Sequence, residues 1–312
     1  MEMSTKLKER FCKDCNIPIN IFQEPYFMER LKLYDKFYGT LDKWNVFVKE
    51  LEKYKTEQDY FEEYNRIKDE AINFIKSTEA YQRFNEEDMN QYAVINKNLS
   101  SKDIYHPSNN GRSFISIDMK KANFSALHFY DASMFDHANT WEDFIGKFTD
   151  NQHIINSKYI RQVILGNCNP KRHITYEKYL MDMIFTNLLG LNAITIDKIV
   201  FFSNDEIIID VTDFNVLDKH LLVPFIKDNL QHIIIPLKVE LFTLNKITRT
   251  DGYYKVIIGK YKNEIKFKCL DSLYLPFVIR HFLGEEMTES DKVFYHNGLL
   301  AQFIEIPKIE VS

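Results

Sequence analysis

Two apolar runs, residues 113–118 and 199–210, carry carboxylates where a buried strand is otherwise indicated. The first reads Ser113, Phe114, Ile115, Ser116, Ile117 and Asp118. The second reads Ile199, Val200, Phe201, Phe202, Ser203, Asn204, Asp205 and Glu206, then three isoleucines and Asp210. Short runs rich in β-branched and aromatic residues, bounded by polar turn residues, predict strands. A carboxylate at the end of such a run is costly to bury unless it is paired, hydrogen-bonded or bound to a cation. The chain is thereby restricted to folds in which a sheet can gather acids from distant segments.

The remaining pattern supplies helices around that sheet. Residues 24–95 carry helical periodicity, with Phe27, Leu31, Tyr34 and Tyr38 on one face, and Phe61, Tyr64, Ala71, Ile72 and Ile75 likewise. A polar, turn-rich stretch, residues 96–112, contains Pro107, Asn109, Asn110 and Gly111 and predicts a boundary. After the strand at 113–118, short helices are expected at 141–148 and 157–165. A break at 166–170 leads into a helix near 175–189 that Gly190 caps. A β-hairpin at 194–211 turns near Ser203 and Asn204. A helix at 216–230, kinked or restarted at Pro224, precedes a strand at 233–243. A second hairpin, 253–260 with 264–269, and a helical stretch ending at Gly284 complete the reading. The expected class is α+β, an antiparallel sheet backed by helices. Its expected parts are a helical N-terminal lobe (1–110), a central sheet domain (111–250) and a C-terminal α+β lobe (251–312).

The formal net charge is −5, whereas nucleic-acid binders usually present a basic surface. A local basic stretch nevertheless runs from 158 to 178, with Lys158, Arg161, Lys171, Arg172, His173 and Lys178 against the single acid Glu177. A solvated helix face accounts for such a stretch equally well. No apolar run reaches the roughly 18 residues of a membrane span, and residues 1–10 are too polar for a secretory signal. A location in the cytoplasm, or in a nucleoid or viral replication compartment, is expected, not a secreted one. Cys12 and Cys15 form half of a zinc knuckle, with Cys168 and Cys269 isolated. Neither a Gly-rich phosphate loop nor a Gly-x-Ser-x-Gly elbow is present, so neither motif supports a nucleoside triphosphatase or serine hydrolase.

The expected site is Asp118 with Asp205, and Glu206 as an auxiliary. In a regular strand Asp205 and Glu206 point to opposite faces, and Asp205 is taken to face Asp118 from the neighbouring strand. Two carboxylates that close repel, and one proton affinity rises. Mg²⁺ or Mn²⁺ removes the conflict, and two such ions suit phosphoryl transfer.

With these residues in view, the chain resembles the palm of right-handed nucleic-acid polymerases. Ile117, Asp118 and the following Met, Lys, Lys, Ala122, Asn123, Phe124 and Ser125 look like the first acidic motif. In reverse transcriptases that motif continues with Ala, an aromatic, Phe and Ser. The hairpin Asp205-Glu206-Ile-Ile-Ile-Asp210 is similar to the His-Asp-Glu motif of family A DNA polymerases and single-subunit RNA polymerases, with Asn204 where His stands. The separation of Asp118 and Asp205, 87 residues, is nearer to reverse transcriptases and RNA replicases. The helix with Lys158 and Arg161 is similar to the fingers helix that grips the triphosphate, and residues 235–240 resemble the closing palm strand.

The resemblance covers residues 110–245. It implies a palm with a small fingers insertion in the central domain and a thumb-like N-terminal lobe. It also implies metal ions on Asp118 and Asp205, triphosphate on Lys158 and Arg161, and a sugar-sensing role for Asn123, five residues beyond Asp118. The implied partners are nucleic acid and nucleoside triphosphates, with no membrane. A non-catalytic palm-like subunit of a replication or transcription complex is the alternative.

Overall fold

Small local signals divide the N-terminal region into separate helices. The computed structural model describes residues 3–96, 99–191, 194–296 and 298–311; Lys97 and Asn98 of the predicted boundary stretch lie outside them. The region holds α1 (Thr5–Asp14), α2 (Tyr26–Tyr38), α3 (Thr40–Leu51), α4 (Glu57–Ser77) and α5 (Glu79–Glu86). Helix α1 lies outside the stretch whose periodicity predicts helix. Gly39, at φ 57°, closes α2 and opens α3 in the left-handed geometry that glycine adopts without steric cost. Thr56 and Asp59 form a reciprocal capping box at the start of α4, and Thr78 caps α5. The predicted stripes are inward-facing, with Phe27, Leu31, Tyr34, Tyr64, Ala71 and Ile75 all buried. Trp44 holds Phe11 and Phe27 edge-on at 4.9 and 5.1 Å between ring centres.

The sheet follows. Strand β1 (Ser113–Met119) leads into α6 (Ala122–Tyr130), α7 (Trp141–Ile145), α8 (Gln152–Ile155), α9 (Lys158–Gly166) and α10 (Pro170–Gly190). The hairpin β2 (Ile199–Phe202) and β3 (Glu206–Asp210), α11 (Val216–Leu230) and the long β4 (Leu237–Thr248) come next. Then come β5 (Tyr253–Ile257), β6 (Glu264–Lys268), α12 (Leu275–Leu283), the small hairpin β7 (Val293–His296) with β8 (Leu299–Gln302), and β9 (Glu310–Val311). The strand order is β2-β3-β1-β4-β5-β6, antiparallel throughout, with β9 pairing with β4. The fold is α+β. Its segment from β1 to β4, strand–helices–hairpin–helix–strand, has the split βαβ arrangement in which β1 lies centrally between β3 and β4.

Register decides which side chains share a face, because directly opposed residues lie on the same side of a sheet. Ile115, Ile117, Ile207, Ile209, Val239 and Leu241 form the back face, buried against helices that include α6, α10 and α11. Each such side chain contributes about 1.5–3 kcal/mol of hydrophobic stabilisation. The front face has two halves. Phe114, Ile208, Phe242, Leu244, Tyr253 and Ile257 form an apolar half, covered by Ile104 and flanked by Tyr105 from the segment before β1. Ser116, Asp118, Glu206, Lys238, Glu240 and Lys255 form the polar half.

Three predicted boundaries move. Helix α10 begins at Pro170, which occupies the first turn where its missing N–H costs nothing. Gly190 is the last residue of α10 and not a left-handed cap; Leu191 follows in right-handed geometry. The strand expected at 233–243 starts only at Leu237, after Pro236, and runs on to Thr248. Ile234 in the predicted strand is 86% exposed. Lys246, beyond the expected end of the strand at 243, therefore lies within β4. Residues 251–312 contribute β5, β6 and β9 to the central sheet, and the main apolar core draws on residues from Leu7 to Ile279.

Candidate functional site

The turn between β2 and β3 is built by Ser203. Its backbone N–H donates to the Glu206 carbonyl (2.9 Å), and its Oγ accepts from the Glu206 N–H (2.9 Å). The same hydroxyl lies 2.9 Å from Asp205 Oδ1 and restrains that carboxylate. The Asp205 carbonyl accepts from the Met119 N–H at 2.8 Å, so the turn is stitched to the end of β1 immediately beyond Asp118. The two predicted acids therefore meet, but by a different register from the one expected. Glu206, not Asp205, is the ladder partner of Asp118, and Asp205 approaches from the turn.

Asp118, Asp205 and Glu206 are all half-buried. Burial first, and the Asp205 charge second, push the Asp118 carboxyl above its ordinary range, while Lys238 and Lys255 pull it back. Glu206 is raised chiefly by burial and also by Asp118; Lys255, with its Nζ 3.8 Å away, opposes the rise. Lys255 is itself buried, with its ammonium 4.2 Å from the centre of the Phe242 ring. Burial pulls its proton affinity down and Glu206 partly restores it.

Two further acids belong to this neighbourhood and were not singled out from sequence. Glu177 on α10 is buried and accepts from Asn204 Nδ2 at 2.5 Å, so α10 holds the turn from behind. Burial pushes its carboxyl up to about 7; the Asn204 bond opposes this and Asp205 adds to it. Glu240 on β4 is held by Lys238 at 2.7 Å and Lys266 at 3.7 Å. The sole signal for Glu177 was its isolation among bases. Lys255 lay in a segment assigned outside the central domain.

The predicted cationic residues sit on α9. Ser157 caps this helix by accepting from the Ile160 N–H (3.0 Å) and donates to Asp14 Oδ1 (2.8 Å). Asp14 is fully buried; it also accepts from Tyr64 Oη (2.9 Å) and lies 3.0 Å from His153 Nε2. The N-terminal lobe thus fixes α9 through one buried carboxylate. Lys158 is exposed on its first turn. Arg161 is half-buried, and its Nε has no hydrogen-bond partner among the described residues. Burial lowers the proton affinity of Arg161 and Glu142 pushes back. Glu142 is also engaged by Lys121, in the turn between β1 and α6. Asn123, half-buried in the first turn of α6, accepts from the Phe124 N–H through Oδ1 (2.9 Å).

Among the described residues, no group of three or more His, Cys, Asp or Glu side chains is arranged as a metal cage. The donor set at the strand ends is of another kind: two carboxylates, of which Asp118 is raised first by burial and second by the Asp205 charge. Mg²⁺ suits such a pair, because it takes one or two carboxylates and fills its remaining positions with water and substrate phosphate. Cys12 and Cys15 lie at the end of α1, and burial raises both thiols, Cys15 to about 12, which disfavours the thiolate that zinc requires. No described helix is long and apolar enough to cross a membrane. Comparison with protein-family models, curated proteins and solved structures finds no significant match to the chain.

Proposed function

We propose that the chain is a template-directed nucleotidyltransferase, a compact DNA or RNA polymerase with a palm-like core. It would use Mg²⁺ or Mn²⁺ and act on nucleic acid with nucleoside triphosphates, in the cytoplasm or in a nucleoid or viral replication compartment. One observation carries the reading: Asp118, on the polar half of the front face, and Asp205, in the adjoining turn, come together at one end of a split βαβ sheet. Fold alone does not imply function, so the weight rests on the acids.

Asp118 and Asp205 would hold the divalent ions. When bound, such ions lower the proton affinity of an attacking sugar hydroxyl and offset charge on a leaving pyrophosphate. Arg161 offers a planar guanidinium that can take phosphate bidentately, and Lys158 adds a mobile point charge. Lys255 offsets the Glu206 charge and so limits repulsion beside Asp118. Asn123, with its amide N–H₂ without a partner among the described residues, can donate to a ribose hydroxyl. Acceptance of ribonucleotides is expected to follow.

A second reading, a palm-like nucleic-acid-binding subunit without catalysis, is favoured by the Ile104 and Tyr105 cover over half of the front face. Incorporation of labelled nucleotides into a primer–template separates the two. The polymerase reading expects Mg²⁺-dependent incorporation with ribonucleotides as well as deoxynucleotides, reduced about a hundredfold or more in Asp118→Asn and in Asp205→Asn. Activity unchanged in both variants would refute it. Template binding with no incorporation by the wild type would select the second reading.

A further inference from the structure

A second charged feature lies outside the acidic site. A cleft of about 770 Å³ opens between α11, the start of β4 and the turn joining β5 to β6. Lys120, Lys227, Lys238, Lys260 and Lys262 line it, with Glu240 and Glu264 as the acids. Both acids are already engaged, Glu240 by Lys238 and Lys266, and Glu264 by Lys266. Lys120, Lys227, Lys260 and Lys262 are exposed and have no carboxylate partner among the described residues. In a chain of net charge −5, this is a concentrated positive groove.

The groove has a rim of particular chemistry. Tyr261 stands between Lys260 and Lys262 at the tip of the turn and is 90% exposed, with the Lys260 ammonium 5.2 Å from its ring centre. The turn is tight, because a Cβ on Gly259 would lie 2.1 Å from the Lys262 carbonyl oxygen. Glycine is therefore required for the backbone approach that presents this tip. An exposed aromatic face flanked by uncompensated lysines, above a cationic groove, is the combination that binds single strands: phosphates follow the charge and a base stacks on the ring. Apart from His220 and Gly259, the remaining lining is aliphatic, including Val223, Leu237 and Ile258, so the groove has few groups with which to read base edges. One end lies beside the acidic site, since Lys120 follows Asp118 by two residues and Lys238 is its ladder partner.

We propose that this groove, with Tyr261 as its stacking platform, binds a single-stranded nucleic acid through its phosphodiester backbone without sequence preference. The proposal rests on the polymerase reading in that it supplies a path for the unpaired strand next to the reaction centre. Its test uses neither nucleoside triphosphates nor divalent ions, so its failure and the failure of catalysis are separable.

The experiment is fluorescence anisotropy of labelled oligothymidylate against the full chain over a series of salt concentrations. A duplex of equal length and inorganic pyrophosphate serve as competitors. The wild type is expected to bind the single strand with an affinity that falls as salt rises. In Lys227→Gln/Lys260→Gln/Lys262→Gln, the slope of log affinity against log salt is expected to shrink by about two. Tyr261→Ala is expected to bind about five-fold more weakly, or worse, with an unchanged slope. All four positions are exposed, and unchanged melting by circular dichroism establishes that the variants fold. Wild-type affinity and slope in the triple variant would overturn the proposal, as would wild-type binding by Tyr261→Ala. Displacement by pyrophosphate as effective as by unlabelled single strand would assign the groove to free polyphosphate and also overturn it.

Discussion

Glu177 is one of three acids around the candidate site whose proton affinity is raised. Its carboxyl is raised from an ordinary 4.5 to about 7, chiefly by burial, so the folded state favours the protonated form. The stability this group contributes is complete below about pH 4.5 and is lost as pH rises through about 7. Asp118 and Glu206 are raised as well and act with the same sign. Glu177 should therefore lower the melting temperature by on the order of 5 °C between about pH 5 and about pH 8, while His173, which burial lowers to about 4, acts with the opposite sign up to about pH 6.5. Glu177→Gln keeps an acceptor for Asn204 and removes the charge, so its melting temperature should gain on that of the wild type as pH rises across that window. Thermal melts at several pH values check this, and parallel profiles for the two proteins would contradict it. Asp118 and Asp205 were legible in the sequence because a carboxylate stands out at the end of an apolar run. Glu177 was not legible, because its role depends on a tertiary bond between α10 and a turn 27 positions further along the chain.

At the scale of elements, the hairpin and β1 follow from local pattern, whereas the position of α9 depends on a distant carboxylate. Asp14 joins α1, α4, α8 and α9 through bonds to or near Tyr64, His153 and Ser157. Asp14→Ala would leave three buried polar groups without their common partner, at a cost of about 3 kcal/mol. The same substitution should raise the KM for nucleoside triphosphate more than it lowers kcat, because α9 carries Lys158 and Arg161. Urea denaturation and steady-state kinetics measure the two effects. Unchanged stability would remove Asp14 from the account of how α9 is held. Sequence pattern misplaced β4 for a related reason. The isoleucines at 233–235 read as strand, yet Pro236 cannot donate to a ladder, and pairing with β1 begins only at Leu237.

For the whole molecule, the α+β class was legible because the period changes near residue 113, from helical stripes to short apolar runs. The continuity of the sheet beyond residue 250 was less so. β5 and β6 pair in sequence after β4, and only their register places Lys255 on the same face as Asp118 and Glu206. The assembled molecule thus combines an acidic strand end, a cationic helix fixed by the N-terminal lobe, and a lysine-lined groove on a chain that is acidic overall. The net charge of −5 records none of these features, and folding collects the acids and the groove lysines from separate segments.

The central claim is that Asp118 and Asp205 jointly hold a divalent ion together with a triphosphate. Electron paramagnetic resonance of Mn²⁺ titrated with the full chain and a non-hydrolysable nucleoside triphosphate tests it most directly. The expected result is loss of the free-ion signal with the wild type beyond that produced by the triphosphate alone. That added loss should be absent in Asp118→Asn and in Asp205→Asn, with both variants melting as folded proteins. Mn²⁺ binding by both variants at wild-type affinity would contradict the claim.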